Sequence, residues 1–274
     1  MLDRSLHPIW AGVVVIRLTW YAALLYSALM NRRTWITMST GCLAAALIGD
    51  RPTASSLPSM FDAPTAPREA KDAFDHILLG ASDLEAGIRW VEQRTGVRAK
   101  FGGNHPGRGT RNALLSLGTR HYLEIIAPDP AQANVSDERG LRQLLSPRII
   151  QWAIHTEDIA AMRRMAEAAG IKTFGPQPGS RQRPDGKMLR WQVLGIEQTT
   201  PLVPFFIQWE PGSLHPSSDS PALGTAKSLN FETPQPEELA RILRGVAIEA
   251  EIRKSDLPRI VLAVQTARGE IEMS

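Results

Sequence analysis

Residues 74–130 read FDHILLGASDLEAGIRWVEQRTGVRAKFGGNHPGRGTRNALLSLGTRHYLEIIAPDP, and this stretch decides the fold. Two apolar runs, Phe74 to Leu79 and Tyr122 to Ala127, are short, rich in β-branched and aromatic residues, and bounded by Gly and Pro, which marks them as strands. Between them Asp83 caps a helix whose apolar stripe is Leu84, Ile88, Val91 and Trp90, ending near Gly96. Two further strands follow the helix. The order is β-α-β-β-β, with His76 in the first strand and Glu124 in the last.

Ionisable groups inside apolar strands are costly unless paired or bound to a metal. His76 and Glu124 are the residue types of a mixed nitrogen and oxygen site suited to Zn, Ni, Fe or Mn, although a lone His and a lone Glu also occur as satisfied core or rim groups.

FDHILLGASDLE, HPGRGTRNALLSLG and YLEIIAPDP together resemble the glyoxalase-like domain family of the vicinal oxygen chelate superfamily. That superfamily includes glyoxalase I, extradiol dioxygenases and the fosfomycin and bleomycin resistance proteins. The resemblance extends from Phe74 to Glu210. It implies an α+β fold of paired βαβββ modules whose curved sheets enclose one small-molecule cavity. It also implies His76 and Glu124 as ligands of a divalent metal, and His105 and Asn112 as substrate contacts. His105 reads equally well as an exposed turn histidine. The Gly-rich loop around it is not a phosphate loop, because no G-K-S/T follows.

A second copy of the unit begins at Ile149 to Thr156. Its helix runs from Asp158 to Ala169, and later strands are Met188 to Ile196 and Val203 to Glu210. Pro184-Asp185-Gly186 makes a tight hairpin turn. Arg181, Arg183 and Lys187 crowd this turn; they read as a solvated basic loop, or as groups that attract an anionic substrate, Arg183 being the substrate-contact candidate. Aligning Asp83 with Asp158 places Gln151 opposite His76, and the resemblance allows Gln as a ligand at that place. His155 shares strand parity with Gln151. Phe206, Gln208 and Glu210 likewise share a face, so the second half-site is Gln151 or His155 with Gln208 or Glu210. His155 or Glu210 could serve as the base. His121 has the opposite parity to Glu124 and is expected to face outward. His215 could reach the pocket rim but reads first as an exposed loop residue.

From Ser228 onward, a strand, a helix from Glu237 to Arg244 and three strands form a third, partial βαβββ-like module without a histidine in its first strand. It is expected to cover a sheet edge or to mediate a homodimer. The segments are thus 1–29, 30–56, 57–70 as a linker, 71–212 as the paired-module domain, and 213–274.

The front of the chain differs in character. Ile9 to Leu29 is apolar except for Arg17, whose insertion near the middle of a membrane span costs roughly 2.5 to 3.5 kcal/mol. From Met30, Arg32 and Arg33 followed by Trp35, Ile36 and an apolar run look like a twin-arginine export signal, with Asn31 and Trp35 departing from the usual motif. The favoured expectation is translation from Met30 and export of the folded protein to the periplasm. The alternative is a membrane anchor at residues 9–29. Cys42, the single cysteine of the 274 residues, lies in this apolar run, so the part that follows has neither a disulfide nor a cysteine nucleophile.

A formal charge of +3 with interspersed signs argues against nucleic acid as a partner. The functional expectation is a metal-dependent lyase, isomerase or dioxygenase-type enzyme acting on a small oxygenated substrate. The alternative is a protein that binds or sequesters a small molecule without chemistry, as bleomycin resistance proteins do.

Overall fold

The computed structural model describes residues 66–274 apart from 138, 198 and 199. The export-signal and membrane-anchor expectations fall outside the described residues. Among these residues no helix is long and apolar enough to cross a membrane.

The first module runs β1 (Phe74–Gly80), α1 (Leu84–Thr95), β2 (Lys100–His105), β3 (Thr110–Ser116) and β4 (Tyr122–Pro128). The second runs β5 (Arg148–His155), α2 (Ile159–Ala168), β6 (Thr173–Gln182), β7 (Met188–Ile196) and β8 (Phe205–Trp209). Each helix starts where sequence chemistry places it. Asp83 Oδ1 accepts from the Ala86 N–H at 2.8 Å, and Asp158 Oδ1 from the Ala161 N–H at 2.9 Å. Gly96, at φ 77°, closes α1 in the left-handed conformation that glycine adopts most readily. Between the modules lies a 3-10 turn at Leu141–Gln143.

All eight strands join one curved sheet in the order β2-β3-β4-β1-β5-β8-β7-β6. The first strands of the modules pair antiparallel at the centre, and each lies parallel to the last strand of its own module. The two outer strands meet across the concave side: Arg181 of β6 donates to Gly102 O of β2. Gly103, at φ +143°, permits this approach, because a Cβ there would stand 2.5 Å from Gln182 O.

The C-terminal part forms β9 (Thr225–Thr233), α3 (Pro236–Gly245), β10 (Ile252–Lys254), β11 (Arg259–Thr266) and β12 (Gly269–Met273). The element order repeats that of the modules, but the pairing does not: this sheet runs β10-β9-β11-β12. It also does not cover an edge of the main sheet. Instead it packs on the helix-side face of the centre, with Phe231 against Trp152 at 5.1 Å between ring centroids. One core cluster, including Ile77, Leu79, Ile125, Trp152, Ile154, Phe206, Phe231 and Leu262, joins both modules and the third sheet.

Candidate functional site

The concave face carries the polar groups. On β1 the register steps from Phe74 opposite Ile154 to His76 opposite Ala153, so Asp75 is left unpaired as a bulge residue. The bulge turns Asp75 to the same side as His76, where strict alternation would have put it in the apolar core. Asp75 has no exposed surface, and four side chains converge on it. His76 Nδ1 donates to Asp75 Oδ1 at 2.7 Å, and Trp209 Nε1 donates to Oδ2 at 3.0 Å. His215 Nε2 lies 3.2 Å and His155 Nδ1 3.4 Å from the same oxygen. Burial opposes the Asp75 charge, but bonds from His155, His215 and His76 outweigh it and hold the carboxyl well below the usual range.

The other nitrogen of His76 faces Glu124, with Nε2 3.6 Å from Oε2. On the far side of Glu124, Asn112 Nδ2 donates to Oε1 at 2.8 Å, and His105 Nε2 stands 3.7 Å from that oxygen. The rings of His76 and Tyr122 stack at 4.7 Å. Burial pushes the His105 imidazole down to about 4. Its Nδ1 therefore carries the proton toward Thr110 Oγ1, and Nε2 accepts from Asn112. For Glu124, burial works against ionisation, while His105, His76, the Asn112 bond and Arg181 lower its pKa overall.

His76, Glu124, His105, Asn112 and His155 thus meet in one continuous cluster. His105 is buried and bonded, not an exposed turn residue. Gln151 faces the same side beside Leu78, half-buried. Gln208 does not belong to the site. Its Oε1 accepts from Ile159 N at 3.0 Å and its Nε2 donates to Glu157 O at 2.8 Å, so it caps α2. The reason is register: Phe205, Ile207 and Trp209 lie on the concave face, while Phe206 lies in the helix-side core. Glu210, one residue past β8, is held by its backbone N–H to Arg190 O and does not join the cluster. Arg183 is away from Glu124 and ion-paired with Asp219 and Asp185. His121 is half-buried against Phe74, its Nδ1 2.6 Å from Phe74 O, rather than directed outward.

Asp75, Trp209 and Tyr122 have no place in the site inferred from sequence, Arg181 figures there only within a basic loop, and His215 belongs to the cluster. Asp75 left one signal, two adjacent polar residues inside an apolar strand, which breaks alternation as a bulge does. Trp209 left none, because only folding brings it to Asp75.

The metal site implied by the resemblance draws ligands from both modules, and the residues present do not fit it. The capping aspartates are 75 residues apart, and this offset carries His76 onto Gln151 and Leu78 onto Ala153. Leu78 pairs with Glu124, and Ala153 pairs with Phe205. An aromatic ring therefore stands where the second carboxylate would, 5.4 Å from the His76 ring. The Asn112 N–H sits between His105 and Glu124, and among the described residues no group of three or more His, Cys, Asp or Glu side chains is arranged to hold an ion.

The glyoxalase-like domain family matches residues 74–247. Among solved structures, a hypothetical protein from Staphylococcus aureus superposes with a TM-score of 0.57 at 15% identity, covering 73% of this chain and 98% of its own. Methylmalonyl-CoA epimerase from Mycobacterium tuberculosis gives 0.38 at 20% identity, covering 53% and 91% respectively. No curated protein matches the chain in sequence. The Staphylococcus structure establishes likeness of fold.

Proposed function

The chain belongs to the glyoxalase-like domain family, and on that premise we propose that it is an enzyme that moves a proton on a small oxygenated substrate, with His76 and Glu124 as the acid–base pair. The observation that carries this reading is the Asp75-His76-Glu124 line. A buried aspartate without solvent contact accepts from His76 Nδ1 and fixes the orientation of the ring, so Nε2 faces a second buried carboxylate.

In such a reaction one of the pair takes a proton from the carbon beside a carbonyl. The bonding electrons pass to the carbonyl oxygen, and the group that took the proton hands that same proton back, to the enolate carbon or to the adjacent carbon of an enediolate. Lyase and isomerase outcomes share this first step. No metal enters it, because Phe205 and the capping role of Gln208 leave the two-module ligand set incomplete. The chain is read as exported, since the twin-arginine-like stretch at Met30 precedes the domain.

The second reading is a binding protein without chemistry. It is favoured by the burial of the central groups, His76 being 3% and Glu124 7% exposed.

The test is proton exchange in deuterated water, followed by NMR on a panel of hydroxy and oxo acids and dicarbonyl adducts. Deuterium should enter next to the carbonyl of the true substrate, and Glu124→Gln and His76→Gln should each slow this by about 100-fold or more. A molecule that binds firmly yet never exchanges, with either variant binding it equally, would place the chain with the binders.

A further inference from the structure

The edge strands β2 and β6 enclose a cleft of about 380 Å³, lined by Lys100, Gly102, Leu114, Arg181, Arg183 and Asp219 among others. Leu114 lies directly opposite Glu124 in the β3–β4 ladder, so the inner wall of the cleft adjoins the acid–base cluster. Its outer part is cationic. Lys100 comes from β2, Arg181 from β6, and Arg183 from the turn between β6 and β7.

One carboxylate already occupies these cations. Asp219 Oδ2 is 2.5 Å from Arg183 Nη2 and 3.2 Å from Lys100 Nζ, and Oδ1 is 3.2 Å from Arg183 Nη1. This is the two-pronged fork by which a guanidinium recognises a carboxylate, with an ammonium added. Asp185 engages the remaining Nε of Arg183 at 3.2 Å, which orients the fork toward Asp219. Asp219 belongs to no strand or helix. It follows the short 3-10 turn Pro216–Ser218 in the connection from β8 to β9, the same connection that sends His215 to Asp75. Were Asp219 withdrawn, Lys100, Arg181 and Arg183 would face Asp185 alone within the cleft, with Glu124 behind Arg181.

We propose that this cleft binds the carboxylate of a small anionic substrate, and that the substrate's carboxylate takes the place of Asp219 on Arg183 and Lys100. Asp219 is then an internal stand-in that keeps the cleft closed until a ligand competes for the fork. A carboxylate anchored there lies on the other side of Leu114 and Gly102 from Glu124. This adds a substrate class to the function proposed above, but the binding claim needs only the cleft.

The experiment is calorimetric titration of the full chain with succinate, and with inorganic phosphate in a parallel arm. Succinate should bind the parent. Asp219→Asn, which keeps the shape but removes the competing charge, should bind it roughly tenfold more tightly; Lys100→Gln, which loses one charge-assisted bond, should bind it roughly tenfold more weakly, and Arg183→Gln, which loses both prongs of the fork, at least as weakly. Thermal unfolding of each variant shows whether it is folded; should Arg183→Gln fail to fold, Asp219→Asn and Lys100→Gln still decide. A fork that is merely structural predicts no gain in Asp219→Asn, and that result overturns the proposal. So does absence of succinate binding in both the parent and Asp219→Asn, or a site that takes phosphate and ignores succinate. Binding without deuterium exchange would instead sink only the acid–base reading, and exchange without dependence on Arg183 or Asp219 would sink only the cleft.

Discussion

Two buried ionisable residues show how neighbours set charge. Asp75 keeps its charge because four donors surround it, whereas His105 stays neutral because burial dominates and Asn112 satisfies its free nitrogen. Burial lowers the His105 pKa from 6.5 to about 4. Below about pH 6.5 the unfolded chain binds a proton there that the folded chain refuses, so stability falls by about 3 kcal/mol as pH drops from 6.5 to 4 and then levels off. His155, whose pKa is raised by Asp75 and Glu157 against the effect of burial, contributes with the opposite sign. Its share is complete below its unfolded pKa and is lost as pH rises through the folded value. Asp75, lowered, loses its contribution only on stronger acidification. Urea unfolding across this range should give a profile that flattens between pH 6.5 and 4 in His105→Gln; an unchanged slope would assign the loss to other groups.

At the level of elements, β1 and β5 are equivalent in the fold and unequal in chemistry. β1 and β4 place His76 and Glu124 on the concave face, while β5 and β8 place Gln151 and Phe205 at the matching positions. One half of the site is polar and the other is partly aromatic, which fits a cluster that works through protons better than one that encircles an ion. Phe205→Glu restores the missing carboxylate. We expect this variant to bind a divalent ion, read as metal content by mass spectrometry and as a zinc-dependent rise in Tm, and the parent to bind none. Equal metal content in both proteins would show that Phe205 is not what limits the site. The strand pattern also explains Gln208: the side-chain period of two sends alternate residues of β8 to opposite faces, and Gln208 falls with Phe206 toward the helices.

Across the whole molecule, the third sheet is part of the main core and not an appendage. Phe231 is fully buried against Trp152, itself behind the central strand pair. Truncating a large buried aromatic side chain costs about 3 to 5 kcal/mol, so Phe231→Ala should lower the urea midpoint of one shared transition. A separate, earlier transition confined to the C-terminal part would show instead that the third sheet folds on its own. The connection from β8 to β9 has a corresponding importance. It brings His215 to Asp75 and Asp219 to Arg183, so the link between the second module and the third sheet also finishes the site.

The sequence by itself determined what local chemistry encodes. The apolar runs, the capping aspartates at 83 and 158, the glycine that ends α1 and the hairpin at Pro184-Asp185-Gly186 are short-range signals, and they specify paired βαβββ modules with His76 and Glu124 in matching strands. His105 and Asn112 were legible as site residues only through resemblance to a family. Tertiary structure alone decided the rest. A one-residue bulge turned Asp75 into the hub of the cluster, and strand register sent Gln208 to a helix cap and put Phe205 where a ligand was expected. Sheet closure buried Arg181, and a connection without regular structure delivered His215 and Asp219. The physical reason is range: caps and turns are satisfied within a few residues, whereas bulges, register and loop placement are set by partners that the chain meets only after it has folded.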